Sequence, residues 1–178
     1  MKLAKVFKEN KQFTLFSILA LVVVGVAVFA PQIAPYDPLD AVMLESLQAP
    51  SSAHPFGTDK LGRDLLSRVI FGTRTSLVMT LCLVAVIFVI GTFLGIIAGY
   101  FGGIVDGVIM RIADMMISFP GLVLAIAIAG MLGPNLVNAV ISIAAVSWTK
   151  YARLARSMVL RVKTVSYTHL RAHETRGN

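Results

Sequence analysis

Long uncharged, apolar stretches separated by short charged segments dominate the chain. Asp, Glu, Lys and Arg are absent from three stretches of 25, 31 and 35 residues, which are Gln12–Tyr36, Thr75–Val105 and Met115–Thr149. A helix needs about 20 apolar residues to cross the hydrocarbon core of a bilayer. The pattern therefore predicts an all-α integral membrane protein.

The three stretches predict about four transmembrane helices. The first two spans cover Phe13–Ile33 and Leu77–Gly99. The third stretch would form a helix about 50 Å long, which exceeds a hydrocarbon core of about 30 Å. Because Gly133-Pro134-Asn135 favours a turn near its middle, we expect a hairpin with arms at about Phe119–Leu132 and Leu136–Tyr151.

Composition and charge support this interpretation and give it a direction. Hydrophobic residues make up 57% of the chain and charged residues 14%, and the net charge is +7. The bases cluster at the two ends, where residues 1–12 carry +3 and residues 150–178 carry +6. By the positive-inside rule both ends face the cytoplasm, which requires an even number of spans. We therefore expect a multi-pass cell-membrane protein that contacts the lipid bilayer and no nucleic acid.

The first span has one alternative interpretation, a cleaved signal peptide that ends at Val28-Phe29-Ala30. The apolar run is longer than a typical signal core, and Pro31 would follow the cut directly. A retained anchor helix is favoured.

Residues 31–76 form the expected extracytoplasmic loop. Five of the seven prolines lie between residues 31 and 55, which favours extended chain and turns. An amphipathic helix follows, with Thr58 or Asp59 as its cap and Gly72 at its end. Its apolar face comprises Leu61, Leu65, Leu66, Val69 and Ile70.

Two features predict helix contacts in the second half of the chain. Gly91, Gly95 and Gly99 are four apart, and the spacing continues to residues 103 and 107. Such a stripe allows another membrane helix to approach closely. Arg111 and Asp114 are three apart on a predicted cytoplasmic interfacial helix, where they are expected to form an ion pair.

No pattern in the sequence indicates catalysis. The chain has no phosphate-binding Gly-rich loop followed by Lys and Ser or Thr, and no Ser/His/Asp set. His169 and His173 would supply only two ligands to a metal ion. We therefore expect no enzyme activity and no catalytic, cofactor-binding or metal-binding residues. Thr80, Ser142 and Ser147 are polar candidates for lining a path between the predicted membrane helices.

Several separated motifs resemble one known family. The run from His54 to Asp64 reads His-Pro-Phe-Gly-Thr-Asp-Lys-Leu-Gly-Arg-Asp, and it contains Gly57, Thr58, Asp59, Gly62, Arg63 and Asp64. This run resembles the second permease subunit of ABC importers for dipeptides, oligopeptides and nickel. The later motifs that match in the same order are Ala98–Gly103, Leu132–Pro134 and Trp148–Arg153. The likeness covers about residues 31–163.

The resemblance implies a fold and a set of partners. The fold would be an N-terminal anchor helix followed by a core of the methionine-importer permease type. The subunit would pair with a second permease subunit, two ATP-binding subunits and an extracytoplasmic substrate-binding protein. Transport would proceed by alternating access, and ATP hydrolysis would take place on the separate subunits.

The sequence departs from the family after the fourth predicted span. The Glu-Ala-Ala loop that docks into the ATPase in this family is missing, and residues 164–178 look non-native. We therefore expect an incomplete permease core, truncated at its C-terminal end, and a native short paralogue is the alternative. The expected divisions are 1–34 for the N-terminus and anchor, 35–76 for the loop, 77–163 for the core and 164–178 for the tail. The alternative function is a small membrane scaffold without transport activity.

Overall fold

The structure, a computed structural model, describes residues 10–174, with side chains over residues 10–164. The chain folds as two compact units, Met1–Val78 and Met79–Asn178. Within the described range, the β-type pairing is limited to an isolated antiparallel bridge between Thr58 and Asp64. The predicted all-α class is confirmed. His169 and His173 lie outside the residues whose side chains are described.

The first unit contains the N-terminal helix and the loop that follows it. Helix α1 spans Lys11–Val28, and the short helix α2 spans Ala30–Ile33. The two are separated at Phe29 because Pro31 lies in the first turn of α2, where its ring prevents α1 from continuing. Beyond them the chain runs through bends and turns, which include a 3-10 turn at Met43–Glu45.

Helix α3, Leu65–Phe101, begins in the first unit and is 37 residues long. The predicted amphipathic helix was therefore wrong at both ends. Its expected start at Thr58 or Asp59 is a turn, and Gly72 lies inside α3 rather than at a helix end. A Cβ at Gly72 would have no neighbour within 4 Å, so packing does not require glycine at this position.

The second unit contains the rest of α3 and three further helices. Helix α4 spans Gly103–Ser118, α5 spans Gly121–Leu132 and α6 spans Leu136–Glu174. Gly102 and Gly103 have φ angles of +65° and +52°, which L side chains rarely adopt, and they separate α3 from α4.

Helices α4 and α5 are bent by 92° relative to each other. Pro120 occupies the N-cap position of α5, and the Ser118 hydroxyl donates to the Asp114 carbonyl 2.8 Å away. Helix α5 packs against α6.

The predicted turn between the third and fourth apolar arms is present. Gly133 has a φ of +93° and follows the last residue of α5. The Asn135 side chain accepts the Val137 amide at 2.9 Å, and the Asn138 amide group donates to the Leu132 carbonyl at 2.7 Å. These bonds satisfy backbone groups at both helix ends near the turn.

Among the residues that the structure describes, two helices are long and apolar enough to cross a membrane, α1 and α3. A third span is obtained if the bent pair α4 and α5 is counted as one. With 12 residues, α5 is about 18 Å long, short of a bilayer core. The predicted arm Leu136–Tyr151 is the first part of α6, a continuous helix of 39 residues that carries many charges beyond Thr149. The number of four spans stays a prediction.

Candidate functional site

The family motif forms a compact turn in the first unit, which we call the motif turn and define as residues 57–64. Gly57 and Gly62 have φ angles of +73° and +76°. A Cβ at Gly62 would lie 2.5 Å from the Val42 carbonyl carbon, and one at Gly57 would overlap the Gln48 carbonyl oxygen. Both positions therefore require glycine for conformation and for space.

Thr58 joins the motif turn to the segment around the 3-10 turn. Its side-chain oxygen accepts the Gln48 amide at 2.9 Å and donates to the Glu45 carbonyl. The Thr58 amide in turn donates to the Gln48 carbonyl at 3.2 Å. Because Thr58 is buried, its polar groups have little access to solvent, and these bonds satisfy them instead.

Asp59 holds the interior of the motif turn. Its Oδ1 accepts the amides of Leu61 at 2.8 Å and Arg63 at 3.1 Å. Its Oδ2 lies 2.7 Å from the Arg63 guanidinium and 3.3 Å from that of Arg68. The Arg63 side chain, followed by these backbone bonds, lowers the pKa of Asp59 to about 2. The carboxylate is thus committed to the turn and is not free for a ligand.

Asp64 is the helix cap that the sequence analysis assigned to earlier residues. Its Oδ2 accepts the Ser67 amide and the Ser67 hydroxyl, each at 2.7 Å, in the pattern of an N-cap side chain. The Ser67 oxygen accepts the Tyr36 amide at 3.1 Å. Burial raises the pKa of Asp64, but the Ser67 and His54 hydrogen bonds lower it further, so the net pKa lies below its usual value.

The glycine stripe lies against helix α6 in the second unit. A Cβ at Gly91 would be 2.6 Å from the Trp148 carbonyl oxygen, and one at Gly99 would be 2.8 Å from the Val159 Cβ. At Gly95 the Ala155 Cβ would lie within 2.8 Å, and the Ala152 carbonyl would be closer still. The stripe stops there, because Gly103 and Gly107 have no neighbour within 4 Å.

Charged side chains connect α4 to α6. The Arg156 guanidinium contacts both Asp106 carboxylate oxygens at 2.5 Å, and Arg153 pairs with Asp114. Asp114 is therefore paired with Arg153 of α6. The expected ion pair between Asp114 and Arg111 is wrong. Arg111 lines a shallow depression on α4 together with Ile104, Val108, Ile112 and Met115.

A cavity of about 380 Å³ lies beside helices α4, α5 and α6. Its wall is largely apolar, and the polar lining residues are Ser147, Thr149 and Lys150. Of the candidate path residues, only Ser147 lines this cavity. Ser142 is buried and donates to the Asn138 carbonyl at 2.6 Å, and Thr80 is exposed on α3.

Over the described side chains, residues 10–164, no group of three or more His, Cys, Asp and Glu residues has an arrangement that would hold a metal ion. Asp59, Asp106 and Asp114 are paired with arginine side chains. The described residues therefore form close helix contacts, a cavity and a hydrogen-bonded loop.

Comparisons with known proteins identify the family. Residues 91–177 match the family described as binding-protein-dependent transport system inner membrane component. Residues 2–50 match the N-terminal transmembrane domain of oligopeptide transport permease C. The chain belongs to this permease family. These matches extend beyond residues 31–163, the range in which the motif likeness was expected.

The permease family includes relatives that match nearly the whole chain. A probable D,D-dipeptide transport system permease protein of Escherichia coli is 40% identical over 99% of this chain and 58% of its own length. A dipeptide transport system permease protein of Haemophilus influenzae is 38% identical over 90% of this chain and 57% of its own. A nickel transport system permease protein of Escherichia coli is 40% identical over 72% of this chain and 47% of its own length. The chain thus spans about half the length of these curated relatives.

Sequence reasoning missed the partners of the motif residues and those of α4. Glu45 was not singled out, the contact of Ser67 with Asp64 was not predicted, and neither were the pairs formed by Arg153 and Arg156. Each of these contacts joins residues that are far apart in sequence, except that between Ser67 and Asp64. Asp64, a preferred N-cap residue directly before the apolar run that begins at Leu65, was the signal available for the true start of α3.

Proposed function

We propose that the chain is a transmembrane permease subunit of a binding-protein-dependent ABC importer for dipeptides, oligopeptides or nickel. The observation that carries this proposal is the pair of family matches over residues 2–50 and 91–177, together with relatives named for dipeptide, glutathione and nickel transport. The membrane-embedded, multi-pass character of the family agrees with the apolar helices α1 and α3.

The proposed contribution of this subunit is a path through the membrane rather than bond chemistry. Helices α3 and α6, packed along the glycine stripe, would form a rigid element of that path. The cavity beside α4, α5 and α6 has a largely apolar lining that includes three polar side chains. In alternating access, movement of such elements exposes a site first to one face of the membrane and then to the other.

The proposed partners follow from the family. A second permease subunit would complete the path, two ATP-binding subunits would hydrolyse ATP, and an extracytoplasmic binding protein would deliver the substrate. In this arrangement the N-terminus is cytoplasmic and the loop of residues 35–76 faces the opposite side.

Deletion of the gene for this chain tests the proposal directly. Uptake of a radiolabelled dipeptide, a longer peptide and radioactive nickel is measured in the mutant and in the complemented strain. We expect loss of at least one of these activities and its recovery on complementation. Unchanged uptake of all three would overturn the proposal.

The alternative function is a small membrane scaffold, which the glycine-mediated packing of α3 on α6 also suits. Affinity purification of the tagged chain from mild detergent, followed by mass spectrometry, separates the two. Recovery with a second permease and ATP-binding subunits supports the importer. Recovery of the chain as a homo-oligomer without them supports the scaffold.

A further inference from the structure

The imidazole ring of His54 lies between two carboxylates in the first unit. Its Nδ1 is 3.0 Å from the Asp64 Oδ1, and its Nε2 is 3.3 Å from the Glu45 Oε2. The side chains of His54 and Asp64 are 8% and 1% exposed, and that of Glu45 is 42% exposed. Both ring nitrogens therefore face acceptor groups.

This geometry favours a doubly protonated ring, because each ring nitrogen lies close to a carboxylate oxygen. An ionised carboxylate only accepts hydrogen bonds, and a neutral imidazole carries a single N–H group. A neutral His54 would satisfy one carboxylate and turn a nitrogen lone pair toward the other. The protonated ring donates to both, and each of these bonds is charge-assisted.

The surroundings of His54 contain no competing cation among the described side chains. The groups that face the ring are Glu45 from the 3-10 turn, Asp64 from the start of α3 and the Tyr36 ring, whose centroid is 4.9 Å away. The neighbouring Arg63 and Arg68 bind Asp59 instead.

The His54 ring is also fixed through its backbone. The His54 carbonyl accepts the amides of Ser51 and Gly57, each at 2.9 Å, and the His54 amide donates to the Ser51 hydroxyl at 3.1 Å. The ring thus joins the 3-10 turn to the cap of α3, while the His54 backbone holds the segment around Ser51. Losing the ring contacts would release the 3-10 turn from the start of α3.

We propose that Glu45, His54 and Asp64 form a pH-sensitive clamp, which holds the loop ordered while His54 is protonated and loosens it as the pH on that side rises. The hydrogen bond to Asp64 raises the pKa of His54 above its usual value of 6.5. A raised pKa means that the stabilisation is fully present below pH 6.5 and is lost as the pH rises through the higher folded value. The clamp concerns only the order of the loop. An effect of the clamp on substrate uptake would rest on the proposed function.

Histidine NMR on the whole chain in lipid nanodiscs tests the clamp. The chain is labelled with ¹⁵N-histidine, and the His54 signals are assigned by their loss in His54→Gln, because the chain has three histidines. We expect both His54 nitrogens to be protonated at pH 6.5 and the pKa to lie above 6.5. A neutral tautomer at pH 6.5, or a pKa at or below that value, would overturn the proposal.

Two matched variants separate the clamp from general charge effects. Glu45→Gln removes one carboxylate and is expected to lower the pKa of His54, although the Asp64 contact remains. Asp40→Asn removes an exposed acid of the same loop that makes no side-chain bond among residues 10–164, and it should leave the titration unchanged. Equal shifts in both variants would contradict a clamp made by Glu45.

Hydrogen exchange provides a second readout that involves no transport. Protection of the Leu47, Thr58 and Leu65 amides, corrected for intrinsic exchange, should fall between pH 6 and pH 8.5. The fall should be about tenfold for each unit by which the His54 pKa exceeds 6.5. Constant protection over this range would overturn the proposal. Because neither method measures uptake, failure of the clamp and failure of the importer assignment are distinguishable.

Discussion

Individual glycines decide how closely two helices of the second unit approach. At Gly91, Gly95 and Gly99 the space for a side chain is already occupied by α6. The sequence alone predicted this stripe, because small residues four apart let another membrane helix approach closely. It did not predict where the stripe ends, since Gly103 and Gly107 keep the spacing but follow the break at Gly102.

Gly95→Ala should therefore destabilise the protein, whereas Gly107→Ala should not. The added methyl group at Gly95 would overlap the Ala152 carbonyl and the Ala155 side chain, and overpacking of this kind costs about 1–3 kcal/mol. At Gly107 the methyl group meets open space, and the better helix propensity of Ala would stabilise α4 by up to about 1 kcal/mol. Thermal unfolding in detergent measures both, and equal shifts would contradict the close packing at Gly95.

Asp59 gives the motif turn its expected response to acid. Its folded pKa of about 2 lies below the usual value, so its contribution to loop order is present above about pH 4 and is lost as the pH falls toward 2. Hydrogen exchange of the Leu61 and Arg63 amides, which bond to this carboxylate, should show the loss in that window. In Asp59→Asn both amides should be less protected at pH 7 and their protection should not change between pH 4 and 2. Wild-type protection in this variant would contradict the assignment.

At the scale of elements, long-range contacts account for most of what the sequence could not predict. Helical periodicity from Leu61 onward suggested an earlier helix start, but Asp59 captures the Leu61 and Arg63 amides, and the Asp59 carbonyl accepts the Leu47 amide at 3.1 Å. The helix consequently begins at Leu65. The turn at Gly133 was predictable because its signal is local and strong.

The same limit applies to the ion pairs between α4 and α6. Local spacing pairs Arg111 with Asp114, yet Arg153 reaches Asp114 from 39 residues away. A pair on one helix is visible in the sequence, whereas a pair between helices requires knowledge of their packing.

The two interhelical pairs should differ in strength. Asp106 and Arg156 are 18% and 34% exposed, whereas Asp114 and Arg153 are 59% and 46% exposed. Double-mutant cycles with alanine should give a coupling energy of about 1.5–3 kcal/mol for the first pair and about 0.2–1 kcal/mol for the second. Chemical denaturation in mixed micelles measures both energies. A stronger coupling between Asp114 and Arg153 than between Asp106 and Arg156 would contradict this prediction.

At the scale of the whole molecule, the number of membrane crossings fixes the side on which each end lies. Two or four spans place both ends on one side, and three place them on opposite sides. Charge predicts the first outcome, since bases cluster at both ends of the chain.

Cysteine labelling determines on which side of the membrane each end of the chain lies. In a Cys82→Ser background, Lys5→Cys and Arg161→Cys are each treated with a membrane-impermeant maleimide in intact cells and in inverted vesicles. We expect both to react only in inverted vesicles, and an added cysteine at Lys60 to react in intact cells. Reaction of the two terminal sites from opposite sides would favour three crossings and remove the assignment of both ends to the cytoplasm.

The clamp at His54 also changes the electrical character of its surroundings. Residues 31–76 carry four bases and five acids, so a protonated His54 brings the formal charge of this region from −1 to zero. A neutral surface exerts little attraction or repulsion beyond a Debye length, about 8 Å at physiological ionic strength. Solutes and proteins arriving from that side in mildly acidic medium would then meet it at rates set by diffusion and shape, nearly independent of added salt.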